Sequence, residues 1–244
     1  MILTKNPNGI RLLESYMHKI NWRQLSQNPQ ALHILEKNIN MINWYALSSN
    51  PNSSIINTLL KANQDKIEWN WLSENPCGIQ LLEANINMIN WGALSSNPNG
   101  IKLLEANPDK INWDNLSLNP NGIKLLEANP DKINWDHLSS NPNAIKLLEA
   151  NPDKINWHRL SENHRAINLL ENIPLDVNKP LAAPLVAIDW LCLSSNPYAL
   201  HILEKNIDMI YWYYFSQNPS IFEIDTKQFK IDIIKKANLI DVKN

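Results

Sequence analysis

An all-α solenoid of about nine to ten 22-residue two-helix repeats is the fold this sequence predicts, on three observations. Tryptophan recurs at 22, 44, 69, 91, 113, 135, 157, 190 and 212, at intervals of 22, 25, 22, 22, 22, 22, 33 and 22. Asn-Pro pairs keep the same beat from Asn6, Asn28, Asn50, Asn75, Asn97, Asn119, Asn141, Asn196 and Asn218, and Asn163 fills the missing slot with His164 in place of proline. Within the consensus unit, Ile-x-Leu-Leu and Ile-Asn-Trp-x-x-Leu place apolar residues at helical spacing. A fixed period of this size marks a repeat array, whose members bury their apolar faces only against one another.

Residues 116–137 show the elements in order. Asn119 is expected to cap a first helix of about nine residues, with Pro120 at its first position, where the missing N–H costs nothing. Ile123, Leu125, Leu126 and Ala128 supply its apolar stripe, and Asn129-Pro130 ends it. Pro130-Asp131-Lys132 reads as a tight turn or a single 3₁₀ turn. Ile133 then packs as a staple before Asn134, which caps a second, shorter helix carrying Trp135 and Leu138 on one face. Neither helix is long enough to persist alone in water, so stability is a nearest-neighbour property. With layers roughly 8–10 Å apart, a right-handed, curved rod on the order of 80–90 Å is expected.

The recurring columns have structural readings. Trp22, Trp44, Trp91, Trp113, Trp135, Trp157, Trp190 and Trp212 are expected in the structural core, because each follows an isoleucine by two residues and precedes an apolar residue by three. The competing reading is an exposed aromatic strip. The asparagines, 38 in all, read as caps, turns and possible stacked amide ladders. Glu14, Glu36, Glu83, Glu105, Glu127, Glu149, Glu171 and Glu204 stand near helix C-termini, where the macrodipole disfavours them. Hydrogen bonds from backbone or indole N–H groups are expected to compensate, with plain solvation as the alternative. Lys102, Lys124 and Lys146 lie three residues before a glutamate and read as a solvated, locally balanced face.

Three departures break the regularity. The repeat starting at Asn50 carries three extra residues, Lys61 in the glutamate slot and a second tryptophan, Trp71. An insertion at 172–187 makes one interval eleven residues longer, with Pro174, Pro180 and Pro184 interrupting apolar Leu181 and Leu185. Such insertions project as loops on one face, often the binding face. After Pro219 the pattern dissolves, so the array is assigned to 1–219 and a C-terminal capping segment to 220–244.

Composition narrows the function. Lys and Arg number 22 against 24 Asp and Glu, a net charge of −2, which argues against nucleic acid and anionic membrane surfaces as partners. Two cysteines form no disulfide framework or metal cluster, and five glycines leave no phosphate-binding loop. The scattered histidines suggest at most a weak surface metal contact at His137 and His158. No cofactor, no metal and no catalysis are expected; nor is any targeting or membrane-spanning segment. The variable positions after each tryptophan, together with the insertion, form the candidate interaction surface: Arg23, Tyr45, Trp71, Asp114, Asp136, His137, His158, Arg159, Tyr213, Tyr214, Leu181 and Leu185.

The segment Leu-Ser-Ser-Asn-Pro-Asn-Ala-Ile-Lys-Leu-Leu-Glu-Ala-Asn-Pro-Asp-Lys-Ile-Asn-Trp (138–157) resembles a repeat family abundant in giant DNA viruses of the mimivirus type. The resemblance extends over almost all the chain, and Phe-Glu-Ile-Asp at 222–225 is similar to that family's ending. It implies a viral paralogue that contacts a host or viral protein, located in the host cytoplasm or in the virion, and it transfers no catalytic residue. The expectation is a non-enzymatic repeat scaffold for protein–protein interaction, monomeric rather than oligomeric. A structural or self-assembling virion component is the alternative.

Overall fold

The computed structural model describes residues 14–171 and 188–222. The 172–187 insertion, with Leu181 and Leu185, lies outside the described residues, as does the expected cap beyond 222. The described residues are helical throughout, without strands, and successive short helices stack on their neighbours as an α-solenoid. Contacts divide the chain into two compact blocks, Met1–Leu147 and Leu148–Asn244.

In the first block one repeat shows how the residues make the elements. Asn119 does not cap the first helix directly, contrary to the expectation above. Its Oδ1 accepts the backbone N–H of Asn121 at 2.9 Å and its carbonyl accepts that of Gly122 at 3.0 Å, so Asn-Pro closes a turn. The helix therefore starts three residues later, at Ile123–Glu127, with only five residues. Pro130–Lys132 forms the expected single 3₁₀ turn. Asn134 caps the tryptophan helix Trp135–Ser139 as expected, its Oδ1 accepting the His137 N–H at 3.1 Å.

Leucine and isoleucine fill the interior. Leu94, Leu104, Leu116 and Leu126 are fully buried, and Ile89, Ile111 and Ile133 nearly so. A column of small residues (Ala31, Gly78, Gly100, Gly122, Ala144) lies beside them, also buried. The approach is close enough that a Cβ on Gly100 would stand 2.8 Å from the Leu94 carbonyl oxygen.

Between repeats the contacts are polar and buried. The Asn119 Nδ2 donates to the carbonyls of Ser95 and Asn97 in the preceding repeat, both at 2.9 Å. Asn50, Asn75, Asn97 and Asn141 do the same from their own repeats. The expected amide ladder thus exists, but it runs from side chain to backbone rather than from amide to amide. A serine column completes it. Ser117 Oγ donates to the Trp113 carbonyl at 2.8 Å and accepts the Asn134 N–H of the next repeat at 3.1 Å. Ser26, Ser48, Ser73 and Ser95 repeat the pattern, and all five serines are fully buried. These bonds satisfy polar groups that the stacking has removed from water.

The tryptophans are less buried than expected. Trp22, Trp44, Trp91, Trp113, Trp135 and Trp157 are half-buried, Trp190 is buried, and Trp212 is 62% exposed. Leucine, serine and asparagine already occupy the interior. The large indole sits at the rim, where its N–H reaches water. Where the ring is buried, at Trp190, Nε1 has no hydrogen-bond partner among the described residues. Trp212 has no described repeat after it to cover its ring. The backbone carbonyl of the tryptophan, rather than its ring, is what the serine column engages.

Both irregular repeats keep register. In the longer unit the helix starts early, at Ser53–Ile55, and continues as a wider π-type turn over Ile56–Leu60. Leu60 stays fully buried, and the Glu68 N–H still meets Ser48 Oγ at 3.1 Å. In the second block the Asp189 N–H meets Ser161 Oγ at 3.0 Å across a sequence separation of 28, where regular repeats use 17. The separation grows by the length of the insertion, so the stacking bond is unchanged.

Candidate interaction surface

Each repeat tryptophan opens a helix of four to six residues, capped by an Asn side chain at Trp22, Trp44 and Trp113 but by none at Trp69, so the residues just after it lie in the first helical turn. In the first block this brings three of the expected surface residues together. The Arg23 guanidinium carbon lies 5.5 Å from the Tyr45 ring centroid, and the Tyr45 and Trp71 rings meet edge to face at 4.7 Å. Tyr45 is 37% and Trp71 39% exposed. Trp71 thus extends an Arg–Tyr row across a third repeat, and Lys66 stands 5.8 Å over the neighbouring Trp44 ring.

Other expected residues are spent on the stack. Asp114 Oδ1 accepts from Asn134 Nδ2 at 2.6 Å, and its backbone carbonyl lies 2.9 Å from His137 Nδ1. Asp136 is exposed. In the second block His158 Nδ1 lies 3.8 Å from Asp189, and Arg159 is 3.5 Å from Glu162. Tyr213 and Tyr214 meet edge to face at 5.2 Å, with Tyr213 72% exposed.

Asp189 also caps the helix that follows it, accepting the N–H groups of Leu191 and Cys192 at 2.9 and 3.2 Å. Burial pushes its carboxyl up, but the Cys192 thiol and these N–H groups outweigh that and hold it below the usual carboxylate range. The same burial and the facing carboxylate push the Cys192 thiol up to about 12, so it stays protonated at neutral pH. Among the described residues, no cluster of three His, Cys, Asp or Glu side chains could hold a metal ion, and no helix is long and apolar enough to cross a membrane.

The glutamate column departs from expectation. Glu36, Glu83, Glu105, Glu127, Glu149 and Glu204 are exposed, and none accepts a hydrogen bond from another of the described residues. The helix ends are satisfied instead by the asparagine two residues on: Nδ2 of Asn85, Asn107 and Asn129 donates back to the carbonyls of Leu81, Leu103 and Leu125 at 2.8–2.9 Å. The carboxylates, being acceptors, could not have served those carbonyls, and they stand in solvent.

Three of them, Glu83, Glu105 and Glu127, border a groove that sequence reasoning missed. In the first block the isoleucine helices line an open cavity of about 1300 Å3. Ile79, Ile101 and Ile123 contribute to it, with Lys102 and Lys124 beside them and Glu83, Glu105 and Glu127 also lining it. Asn99, Asn121 and Asn143 complete it, each reaching back to a proline carbonyl of the preceding repeat. Its signal was present in the Ile-Lys-x-x-Glu columns, which read equally well as a solvated face.

Compared with known proteins, the chain matches no protein-family model, no curated protein and no solved structure.

Proposed function

We propose that the chain is a non-enzymatic repeat scaffold that binds a host or viral protein, in a giant DNA virus of the mimivirus type. The carrying observation is the exposed Arg23–Tyr45–Trp71 row. Arginine, tyrosine and tryptophan are the residues most enriched at binding hot spots, and rings already held by one another lose little side-chain entropy on binding. The array supplies the support, since Arg23, Tyr45 and Trp71 each sit on a separate helix of the stack, Trp22–Ser26, Trp44–Ser48 and Trp69–Glu74. Work in the host cytoplasm or in the virion suits such a scaffold, and the viral assignment rests on the repeat resemblance.

Affinity capture from host-cell lysate, followed by measurement of the purified partner's Kd, tests the proposal. A Tyr45→Ala, Trp71→Ala variant with unchanged far-UV circular dichroism should bind that partner at least tenfold more weakly. The same affinity for both proteins, or no specific partner for either, would end this reading.

A second reading, a structural or self-assembling virion component, is favoured by the exposure of Tyr211, Trp212 and Tyr213, at 53, 62 and 72%. Light scattering across a hundredfold range of concentration separates the two. A constant monomer mass supports the scaffold, and a rising series of oligomers supports assembly.

A further inference from the structure

The groove of the first block has features a merely solvated face would lack. Lys102 and Glu105 stand three residues apart on one helix, as Arg159 and Glu162 do, yet only the latter pair comes together, at 3.5 Å. Among the described residues no ion pair within 4.0 Å holds Lys102, Lys124, Glu105 or Glu127. Two uncommitted rows of opposite charge therefore run side by side along the stack, about 4.5 Å apart along each helix axis, with the half-buried Ile101 and Ile123 beside them.

Periodicity selects what fits. Packed helices repeat roughly every 8–10 Å. A polyproline II segment presents the same face every three residues, about 9.3 Å, and so stays in step with the repeats. A β-strand presents the same face about every 6.7 Å and an α-helix turns every 5.4 Å or so. Both drift out of register within two repeats. Three residues per turn also provide three faces, one for the isoleucines, one for the lysine row and one for the glutamate row. Polyproline II leaves its backbone N–H groups unpaired, and the Asn121 side-chain oxygen in the groove is an available acceptor, since only its Nδ2 is engaged, at 2.9 Å on the Pro98 carbonyl.

We propose that this groove binds an extended polyproline II segment of a partner protein, carrying one acidic and one basic residue in every triplet. Flipping the chain direction of such a segment exchanges its two charged flanks, so either triplet order can be accommodated. The site is separate from the Arg23–Tyr45–Trp71 row, and either can fail without the other.

The probe is a fluorescein-labelled (Pro-Glu-Lys)₄ peptide, titrated with the full chain and followed by anisotropy at low salt. Saturable binding is expected. Permuting the same residues to destroy the three-residue period should weaken it at least tenfold, as should Lys102→Glu with Lys124→Glu. Both substitutions are at exposed positions, and a thermal melt confirms folding. If that variant fails to fold, Glu105→Lys with Glu127→Lys provides the same comparison. No saturable binding, equal binding of the permuted peptide, or binding indifferent to the charge reversals would overturn the proposal.

Discussion

Replacing Asn119 by alanine tests the buried ladder most directly. The native side chain is fully buried and makes three hydrogen bonds, two from Nδ2 to the Ser95 and Asn97 carbonyls and one to Oδ1 from the Asn121 N–H. After substitution the Asn97 carbonyl keeps the Gly100 N–H at 2.9 Å, and water can reach the N–H of exposed Asn121. The Ser95 carbonyl is left dry. One orphaned buried acceptor at about 1–3 kcal/mol, plus two net bonds at about 1 kcal/mol each, gives a loss of roughly 3–5 kcal/mol. Asn121→Ala is the internal control. It removes a bond of the same length, 2.9 Å to the Pro98 carbonyl, at an exposed position, so about 0.5 kcal/mol is expected. Urea unfolding followed by tryptophan fluorescence reads the difference. With a slope of roughly 2–3 kcal/mol/M, Asn119→Ala should lower the midpoint by about 1–2.5 M and Asn121→Ala by about 0.2 M. Equal shifts for the two variants would refute the ladder as a source of stability. Asn119→Asp adds a signed test. Its carboxyl would face two carbonyls, so its folded pKa is raised and the folded state binds the proton more tightly. That variant should be more stable at acid pH and lose stability as pH rises through the carboxylate range.

Further measurements address the remaining features. Substitution of single tryptophans by alanine should rank by burial: about 3–5 kcal/mol at Trp190, roughly half that at Trp135 and under about 1 kcal/mol at Trp212, and equal losses would contradict the observed exposures. Cutting 172–187 to a five-residue turn should leave the melting temperature within about 3 °C of wild type, because the Ser161–Asp189 bond is one that regular repeats close with a shorter link; collapse of the fold would show that the insertion supports it. At pH 8, iodoacetamide should modify Cys192 on the order of 10–100-fold more slowly than an unperturbed thiol, read by peptide mass spectrometry, and a normal rate would disprove its raised pKa. The depressed Asp189 carboxyl contributes stability that is present above about pH 4 and lost as pH falls through its folded value. The urea midpoints of wild type and Asp189→Asn should therefore lie further apart at pH 7 than at pH 3, and a pH-independent gap would count against it.

The repeat period, the all-helical class, the 3₁₀ turn at Pro130–Lys132 and the Asn134 cap were all legible in the sequence, because each depends on residues within one or two turns of chain. Local chemistry leaves little choice there: proline fixes φ, and an asparagine before an apolar pair caps. The same locality misled at Asn119. Asn-Pro is equally good at opening a helix and at closing a turn, and the partners that favour the turn are carbonyls of the preceding repeat. Serine was passed over for the same reason, since its hydroxyl joins a tryptophan carbonyl four residues back to an N–H seventeen residues ahead.

The sequence by itself determined that this chain stacks, and with what period, because nine tryptophan-marked units cannot bury their apolar stripes any other way. Only the tertiary structure decided which columns face inward. Burial is settled by competition between neighbours for a limited interior. Leucine, isoleucine, serine and asparagine occupy that interior, pressing the indoles to the rim and leaving the carboxylates at the surface.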